Sequence, residues 1–207
     1  MRVEIFRDKT KKRFDRWAEN YDESVLSPFF DYTHKKIIGS LKLFRGEKIL
    51  DVGCGTGKLL DKINSLNNCP RELVGIDISE GMINIAREKR PKNLSFFVSD
   101  AGELSFEDDY FDAVINATSF HHYPEQERVL KEMYRVLKPA GKLYLADLSF
   151  SYPPGLVYLM APVINFIEGP AKVNSRRKMK EMFKENGFEV LSVNNLAFIQ
   201  TLYICRK

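Results

Sequence analysis

Two patterns of hydrophobic positions alternate along the middle of this chain. Short apolar runs suit buried strands, and they cover residues 48–53, 73–78, 94–99, 111–117 and 142–148. Between these runs, apolar residues recur with helical period over residues 57–66, 80–89 and 125–137. Strands that alternate with helices predict a doubly wound α/β sheet, because right-handed crossovers make successive strands parallel.

Residues 1–45 precede this alternation and predict a helical cap. Residues 2–13 are rich in charge and predict a frayed or mobile start. Apolar side chains then recur at helical spacing from Phe14 to Tyr21, and a second helix is predicted over residues 33–43. Two interpretations of the first helix stay open. It packs on the body of the protein as an ordinary amphipathic helix, or it closes over a ligand.

An insertion over residues 149–174 follows the fifth strand and interrupts the pattern. Prolines and glycines surround an apolar run at residues 156–167, which is too short to span a bilayer. One interpretation is a lid over the ligand edge of the sheet, with Tyr152, Tyr158 and Phe166 as apolar walls. The alternative is a segment that caps the core or contacts a second copy of the chain.

The C-terminal part predicts a helix over residues 176–186, capped by Gly187, and a closing pair of strands over residues 188–193 and 198–205. With 207 residues and 44% hydrophobic content, residues 1–207 predict a single domain. The net charge of +4 permits an anionic partner without requiring one. The three cysteines have no paired or metal-ligand spacing, and the sequence shows no signal peptide, so we expect a reduced, cytoplasmic protein.

The candidate chemistry concentrates where the first strand meets the first crossover helix. Gly53, Gly55 and Gly57 alternate there, so the backbone can take positive φ and approach a ligand closely. The following helix points its N–H groups at the same place. A dinucleotide fingerprint would have its third glycine where Lys58 stands. Asp51 at the strand end would repel a pyrophosphate but attract an ammonium or sulfonium group.

Two further acids occupy corresponding strand ends. Asp77 ends the second strand, 20 residues past Gly57, where a carboxylate can accept both hydroxyls of a ribose. Asp100 follows the third strand. Any one of these acids could cap a helix, but Asp51, Asp77 and Asp100 together favour a binding site at the ligand edge of a parallel sheet. The predicted ligand is a nucleoside that carries positive charge.

From about Phe14 to the C-terminus, the chain resembles the class I S-adenosylmethionine (SAM)-dependent methyltransferases, especially the small-molecule branch with the ubiquinone/menaquinone-type enzymes. The matching motifs are residues 51–57, 75–79, 99–101, 111–115 and 137–141. Several motifs in the same order are far more specific than one glycine turn. The resemblance implies a Rossmann-like, mostly parallel, seven-stranded sheet with an antiparallel edge strand, inside a three-layer αβα sandwich.

The resemblance also implies the cofactor and its contacts. SAM would bind over the glycine turn, and the product would be S-adenosylhomocysteine. Tyr21 would reach the methionine end of SAM, Met82 would pack on the adenine, and Asp100 would accept from the adenine amino group. The full set of implied cofactor-binding residues is Tyr21, Asp51, Gly53, Gly55, Gly57, Asp77, Ile78, Met82, Asp100, Ala101 and Ala117.

The function expected from this branch is methyl transfer from SAM to a small, partly apolar acceptor. The methyl group of SAM is already electrophilic, so a base is needed only where the acceptor must lose a proton. His121 and His122, just past the fourth strand, are the candidates for that base. The alternative is that His122 only packs near SAM, as a matching histidine does in relatives. We expect no metal site.

Other functions stay open. Basic clusters at residues 11–13 and 175–178 would suit an RNA or protein methyltransferase. However, residues 116–119 lack the Asn/Asp-Pro-Pro-aromatic sequence expected of a nucleic-acid methyltransferase at the end of the fourth strand. The sequence gives little evidence against a protein that binds SAM without catalysis. A dehydrogenase is disfavoured by Lys58 and Asp51.

Overall fold

The computed structural model describes residues 3–42, 46–67, 70–150, 169–197 and 200–207. Its helices are α1 (Val3–Trp17), a first 3₁₀ helix (Ala18–Glu23), α2 (Ser27–Ser40), α3 (Lys58–Asn64), α4 (Glu80–Lys89), a second 3₁₀ helix (Phe120–His122), α5 (Gln126–Val136) and α6 (Arg176–Glu185). Its strands are β1 (Lys48–Val52), β2 (Glu72–Asp77), β3 (Ser95–Val98), β4 (Phe111–Ala117), β5 (Leu137–Phe150), β6 (Asn174–Ser175), β7 (Glu189–Ala197) and β8 (Gln200–Arg206).

The strands form a sheet in the order β3-β2-β1-β4-β5-β8-β7, with the two-residue β6 paired to β5. Neighbouring strands from β3 to β5 are parallel, whereas β8 is antiparallel to both β5 and β7. The predicted doubly wound, mostly parallel α/β sheet is therefore confirmed. The antiparallel strand lies one position inside the edge, because β7 occupies the edge itself.

Side chains on β1 and β4 alternate between two hydrophobic cores, one on each face of the sheet. Leu50 and Val114 belong to the core beneath α5 and α6. Ile49 and Ile115, their neighbours along the same strands, belong to the core beneath α2, α3 and α4. Successive side chains of a strand point to opposite faces, so a strand buried on both faces appears in the sequence as a continuous apolar run.

The predicted boundaries from β1 to α5 agree with the structure within two residues. Two later strands are longer than predicted: β7 ends at Ala197 rather than at residue 193, and β5 begins at Leu137 rather than at residue 142. Leu137 pairs with Phe111, and a bulge separates this pair from the next pair, Ala113 with Lys142. The helix predicted over residues 176–186 is confirmed as α6, and Gly187 follows it with a φ of +87°.

The prediction of a frayed start at residues 2–13 was wrong for the described part, which is helical from Val3 onward. Phe6 and Thr10 are buried on the inner side of α1, while the charged side chains spread over its other faces. The second helix also begins earlier than predicted, at Ser27, with a proline in its first turn. Proline suits that place because its missing N–H needs no partner there.

The insertion predicted over residues 149–174 is described only at its two ends. The proposed apolar walls Tyr152, Tyr158 and Phe166 lie outside the described residues. At the described ends, Asn174 and Ser175 form β6 beside Ser149 and Phe150 of β5. No helix in the described part of the chain has the length and apolar character needed to cross a membrane.

Candidate active site

A cleft lies at the carboxyl ends of β1, β2 and β4, beneath α1 and the first 3₁₀ helix. Its volume is about 840 Å³ including the opening to solvent, which suits a small-molecule site of roughly 300–1,000 Å³. Of the two candidate bases, His122 lines the cleft and His121 does not. Nine of the predicted cofactor-binding residues line it, namely Tyr21, Gly53, Gly55, Asp77, Ile78, Met82, Asp100, Ala101 and Ala117.

The glycine turn after β1 is held tightly against its neighbours. The N–H of Gly53 donates to the Ile76 carbonyl oxygen at 2.8 Å, and Gly53 has a φ of +77°. A Cβ at this position would lie 2.3 Å from Ser119 Oγ. Gly57 has a different role, because a Cβ there would lie 2.6 Å from Cζ of Phe96. Gly53 thus permits the turn to pack against Ser119 and Tyr123, and Gly57 permits packing between α3 and β3.

Asp77 connects the end of β2 to the glycine turn. Its Oδ2 accepts from Gly55 N–H at 3.0 Å, and its Oδ1 accepts from Ser79 N–H at 2.8 Å. Burial raises the pKa of Asp77 to about 6, although both N–H donors act in the opposite direction. The carboxylate lines the cleft, so its remaining lone pairs can accept from ligand hydroxyls.

Asp51 lies beneath the turn, with only 1% of its surface exposed. Its Oδ1 has no hydrogen-bond partner among the described residues. Burial, and to a lesser degree the nearby Asp77, raises the pKa of Asp51 to about 8. A buried carboxyl with an unsatisfied oxygen is costly unless it is paired. Asp51 and Gly57 are the two predicted cofactor-binding residues that do not line the cleft, so the predicted contact of Asp51 with a cationic group stays a prediction.

This geometry predicts a pH-dependent cost of folding at Asp51. Between pH 3.8 and about 8, the folded state keeps a proton on Asp51 that the unfolded chain has released. Stability should therefore fall with rising pH in this window, by up to about 1.4 kcal/mol per pH unit from this group. Asp51→Asn removes this titration, so the unfolding free energy of the variant should rise relative to the wild type as pH increases. Urea unfolding at pH 5 and pH 8 measures the difference.

The control for this prediction is Asp8→Asn, which changes an exposed carboxylate on α1. The unfolding free energy of this variant should differ from that of the wild type by the same amount at pH 5 and at pH 8. If Asp51→Asn behaves like Asp8→Asn, Asp51 carries no folding penalty and the prediction is wrong.

The N-terminal helices are held over the cleft by two aspartates. Asp15 Oδ1 of α1 accepts from Ser79 Oγ at 2.7 Å, at the start of α4. Asp22 Oδ1 of the first 3₁₀ helix accepts from Thr56 Oγ1 at 2.6 Å, and Asp22 also pairs with Arg90. These bonds connect the helical cap to the glycine turn and to α4.

Aromatic side chains of the cap form the roof of the cleft. A Cβ placed on Gly55 would lie 3.8 Å from Cε1 of Tyr21, so the Tyr21 ring stands directly over the glycine turn. Tyr21 stacks on Phe30 with ring centroids 5.2 Å apart, and Trp17 meets it edge-on at 4.9 Å. This arrangement favours the second interpretation of the N-terminal helix, which closes over a ligand.

Arg7 is a residue of the cleft that the sequence analysis missed. Its Nη1 lies 3.0 Å from Oδ2 of Asp100, and its Nη2 lies 3.1 Å from Oε2 of Glu125. Asp100 Oδ1 accepts from Gly102 N–H at 2.9 Å. Arg7 therefore ties α1 to the acid predicted to meet the adenine. The spacing of Phe6, Thr10 and Phe14 could have revealed this helix, but the abundant charges concealed it.

The two candidate bases have different surroundings. His121 is buried, and its Nδ1 and backbone N–H contact the two carboxylate oxygens of Asp147 at 2.5 and 2.6 Å. His122 Nδ1 lies 3.0 Å from the Pro170 carbonyl oxygen and carries the proton, because a carbonyl only accepts. Burial and the neighbouring His121 lower the pKa of His122 well below its ordinary value. His122 is thus a weak proton acceptor, and catalysis by either histidine stays a prediction.

A buried polar network supports the glycine turn from β4. Asn116 Nδ2 donates to the Val52 carbonyl oxygen and to Ser119 Oγ, both at 2.7 Å. Ser119 Oγ lies 3.0 Å from the Tyr123 hydroxyl, and both hydroxyls face the position where a Gly53 Cβ would be. These residues join the end of β4 to the end of β1. No pattern in the sequence predicts this network, because its members meet only in the folded chain.

Taken together, the sheet order, the glycine turn and the acids at the strand ends define a Rossmann-like protein with a nucleoside site. The residues also fit SAM. Gly53 and Gly55 bring backbone without side chains to the lining of the cleft. Asp77 faces the cleft as the acceptor that a ribose requires.

Comparison with known proteins identifies the family. A family model described as "Methyltransferase domain" matches residues 50–145. The demethylmenaquinone methyltransferase of Thermotoga maritima is 35% identical, over 88% of this chain and 90% of the relative. That of Bacteroides fragilis is 38% identical, over 69% of this chain and 61% of the relative. The ubiquinone/menaquinone biosynthesis C-methyltransferase of Yersinia enterocolitica is 40% identical, over 51% of this chain and 44% of the relative.

Solved structures support the same fold. A methyltransferase in complex with the Trm112 methyltransferase activator from Haloferax volcanii has a TM-score of 0.82 and 22% identity, covering 93% of this chain and 96% of the other. A SAM-dependent methyltransferase from Aquifex aeolicus has a TM-score of 0.71 and 22% identity, covering 93% of this chain and 97% of the other. At this identity the likeness concerns the fold alone.

The chain belongs to the class I SAM-dependent methyltransferases, in the ubiquinone/menaquinone methyltransferase-like branch. SAM is the cofactor of this family, and S-adenosylhomocysteine is its product. The resemblance noted from the sequence motifs is thereby confirmed. The chain spans 61% of the length of the Bacteroides relative, and 90% of the Thermotoga relative.

Proposed function

We propose that this protein transfers a methyl group from SAM to a small, partly apolar acceptor of the hydroquinone class. The observation that carries this proposal is the composition of the cleft. The lining combines the acids Asp77 and Asp100 with the aromatic side chains Phe14, His122 and Tyr123. Carboxylates for a nucleoside and aromatic surface for a second molecule suit a two-substrate site.

The acids of the cleft would hold the nucleoside part of SAM. Asp77 would accept from the ribose hydroxyls, and Met82 and Ile78 would pack on the adenine. Asp100 would face the adenine amino group while Arg7 and Gly102 hold its carboxylate in place. The remaining predicted contacts, from Asp51, Tyr21, Ala101 and Ala117, would surround the rest of the molecule.

The aromatic side chains of the cleft would contact the acceptor. The relatives from Thermotoga and Bacteroides are named demethylmenaquinone methyltransferases, and we extend their acceptor class to this protein. A reduced quinone ring is electron-rich, which makes a ring carbon a suitable nucleophile. When bound, SAM supplies a methyl group on a sulfonium centre: the sulfur–methyl bond breaks as the carbon–carbon bond forms, and a neutral thioether remains. The methylated ring carbon then releases its hydrogen as a proton to water.

The protein's contribution to this reaction is mainly orientation and exclusion of water. Tyr21 and Phe14 cover the cleft, and the Asn116–Ser119–Tyr123 network fixes its floor. Orientation of two reactants can be worth about 7–11 kcal/mol. The pKa of His122 is well below its ordinary value, so this residue would hold a proton only weakly near neutral pH.

A nucleic-acid acceptor fits the cleft poorly. Among the described residues that line it, Arg7 is the one Lys or Arg side chain, and it is already paired with Asp100 and Glu125. A phosphate backbone needs a track of cationic side chains. The expected cytoplasmic location stays a prediction.

An acceptor panel tests this proposal. The purified protein with SAM should form S-adenosylhomocysteine with a reduced, prenylated 1,4-naphthoquinone that lacks its ring methyl group. Transfer RNA at the same concentration should give no product. If product appears only with RNA, and RNA affinity falls steeply with salt, the hydroquinone proposal is wrong. If SAM binds and no compound in the panel accepts a methyl group, the proposed acceptor class is contradicted.

A further inference from the structure

Thr118 has an unusual backbone conformation at the mouth of the cleft. It follows the last residue of β4 with a φ of +57°, and its N–H donates to the Ala146 carbonyl oxygen of β5 at 2.7 Å. A β-branched residue rarely adopts this left-handed conformation, because its side chain crowds the backbone. Such strain persists only where the surroundings enforce it, and it concentrates at functional sites.

Two fully buried side chains hold the Thr118 hydroxyl in place. Gln200 Nε2 of β8 donates to Thr118 Oγ1 at 3.0 Å. Thr33 Oγ1 of α2 lies 2.8 Å from the other end of the same amide, Gln200 Oε1. Both Gln200 and Thr33 have 0% of their surface exposed. A buried amide that is bonded at both ends cannot rotate freely, so it fixes the direction of the Thr118 hydroxyl.

Thr118 is one of the residues that line the cleft. It lies between Ala117 and Ser119 at the end of β4, whereas Asp77 and Asp100 follow β2 and β3, on the other side of β1 in the sheet. Thr118 Oγ1 accepts from the Gln200 amide, so the hydroxyl keeps its own hydrogen for donation to a bound molecule. A strained backbone thus holds a hydroxyl-bearing residue in the lining of the cleft, with the hydroxyl oxygen fixed by Gln200.

We propose that Thr118 is a specificity-determining residue that donates a hydrogen bond to an oxygen of the methyl acceptor. Thr33 and Gln200 are positioning residues that act through Thr118. This inference rests on the proposed function and adds a requirement to it. The acceptor must carry an oxygen next to the atom that receives the methyl group. A hydroquinone meets this requirement, because each methylated ring carbon is next to a carbon that carries a hydroxyl.

Three substitutions at this position separate the hydroxyl from the strain. Thr118→Val keeps the shape and the β-branch but removes the hydroxyl. Thr118→Ser keeps the hydroxyl. Thr118→Gly relieves the backbone strain and removes the hydroxyl. A fourth variant, Gln200→Leu, removes the positioning amide while Thr118 stays unchanged. The assay measures kcat and KM for the reduced, prenylated 1,4-naphthoquinone, and calorimetry measures the Kd of SAM for each protein.

The hydroxyl variants should differ in acceptor use and not in cofactor affinity. Thr118→Val should lower kcat/KM for the naphthoquinol by about 10- to 100-fold, with the SAM Kd changed by less than about twofold. Thr118→Ser should recover most of the activity. Thr118→Gly should melt at or above the wild-type temperature and yet be as slow as Thr118→Val. Gln200→Leu should show a smaller loss in the same direction.

The failures of the two proposals are distinguishable. If the wild type methylates the naphthoquinol and Thr118→Val equals it, the role of Thr118 is overturned while the proposed function stands. If Thr118→Val loses SAM affinity in proportion to its activity, Thr118 is part of the cofactor site, and the inference is also overturned. If the wild type does not methylate the naphthoquinol, the proposed acceptor class fails, and the inference falls with it.

Discussion

Gly53→Ala is expected to abolish SAM binding and to destabilise the fold. The new Cβ would lie 2.3 Å from Ser119 Oγ, 2.6 Å from the Tyr123 hydroxyl and 2.8 Å from Ser119 Cβ. Rotation of the Ser119 hydroxyl would not remove the clash, because Ser119 Cβ is also too close. The left-handed backbone at φ +77° adds further strain. The expected loss of unfolding free energy is about 2–5 kcal/mol.

The matched control is Gly39→Ala, at a glycine of α2 where a new Cβ would have no atom within 4 Å. Alanine favours a helix, so this variant should gain about 0.5–1 kcal/mol and bind SAM as the wild type does. Urea unfolding and calorimetry with SAM measure both effects. Wild-type SAM affinity in Gly53→Ala would show that the ligand does not approach the glycine turn.

Asp77→Ala should weaken SAM binding without loss of the fold. The substitution removes the proposed ribose acceptor, and it leaves the N–H groups of Gly55 and Ser79 without their carboxylate. Hydrogen bonds to a charged group are worth about 1.5–3 kcal/mol, so the Kd of SAM should rise by about 10- to 150-fold. Calorimetry with SAM and with S-adenosylhomocysteine measures this loss.

Asp112→Ala is the matched control for Asp77→Ala. Asp112 lies near the start of β4, whereas the cleft lies at the carboxyl ends of the strands. It also accepts from a backbone N–H, that of Lys48 at 2.9 Å, and from Lys138 Nζ at 2.7 Å. Its loss should lower stability to a similar degree but leave the SAM Kd unchanged. Equal SAM affinities for the two variants would mean that the ribose lies elsewhere.

The central sheet could be predicted from the sequence because its signals are local. β1, β2 and β4 are short apolar runs buried on both faces, and α4 carries its own cap, Ser79, whose Oγ accepts from Met82 N–H at 3.1 Å. Such signals need no knowledge of distant contacts. The acids at the strand ends follow directly, since parallel strands end at the same edge of the sheet.

The features that the sequence did not reveal depend on distant contacts. The positive φ of Thr118 is enforced by β5 and β8, and the Arg7 pair joins residues 7, 100 and 125. In α1, frequent charges concealed the spacing of Phe6 and Thr10, so a real helix was predicted as a frayed start. Its inner face is explained only by the cleft that it covers.

Transfer of a labelled methyl group tests the central claim most directly. The protein is incubated with SAM that carries a trideuterated methyl group and with the reduced, prenylated 1,4-naphthoquinone, and Asp77→Ala is run beside it. Mass spectrometry should find the intact trideuterated methyl group in the naphthoquinol, with one S-adenosylhomocysteine formed per methylated product and far less product from Asp77→Ala. SAM that binds tightly but keeps its label, with every compound in the acceptor panel, would show a binding protein without catalysis and would contradict the proposed methyl transfer.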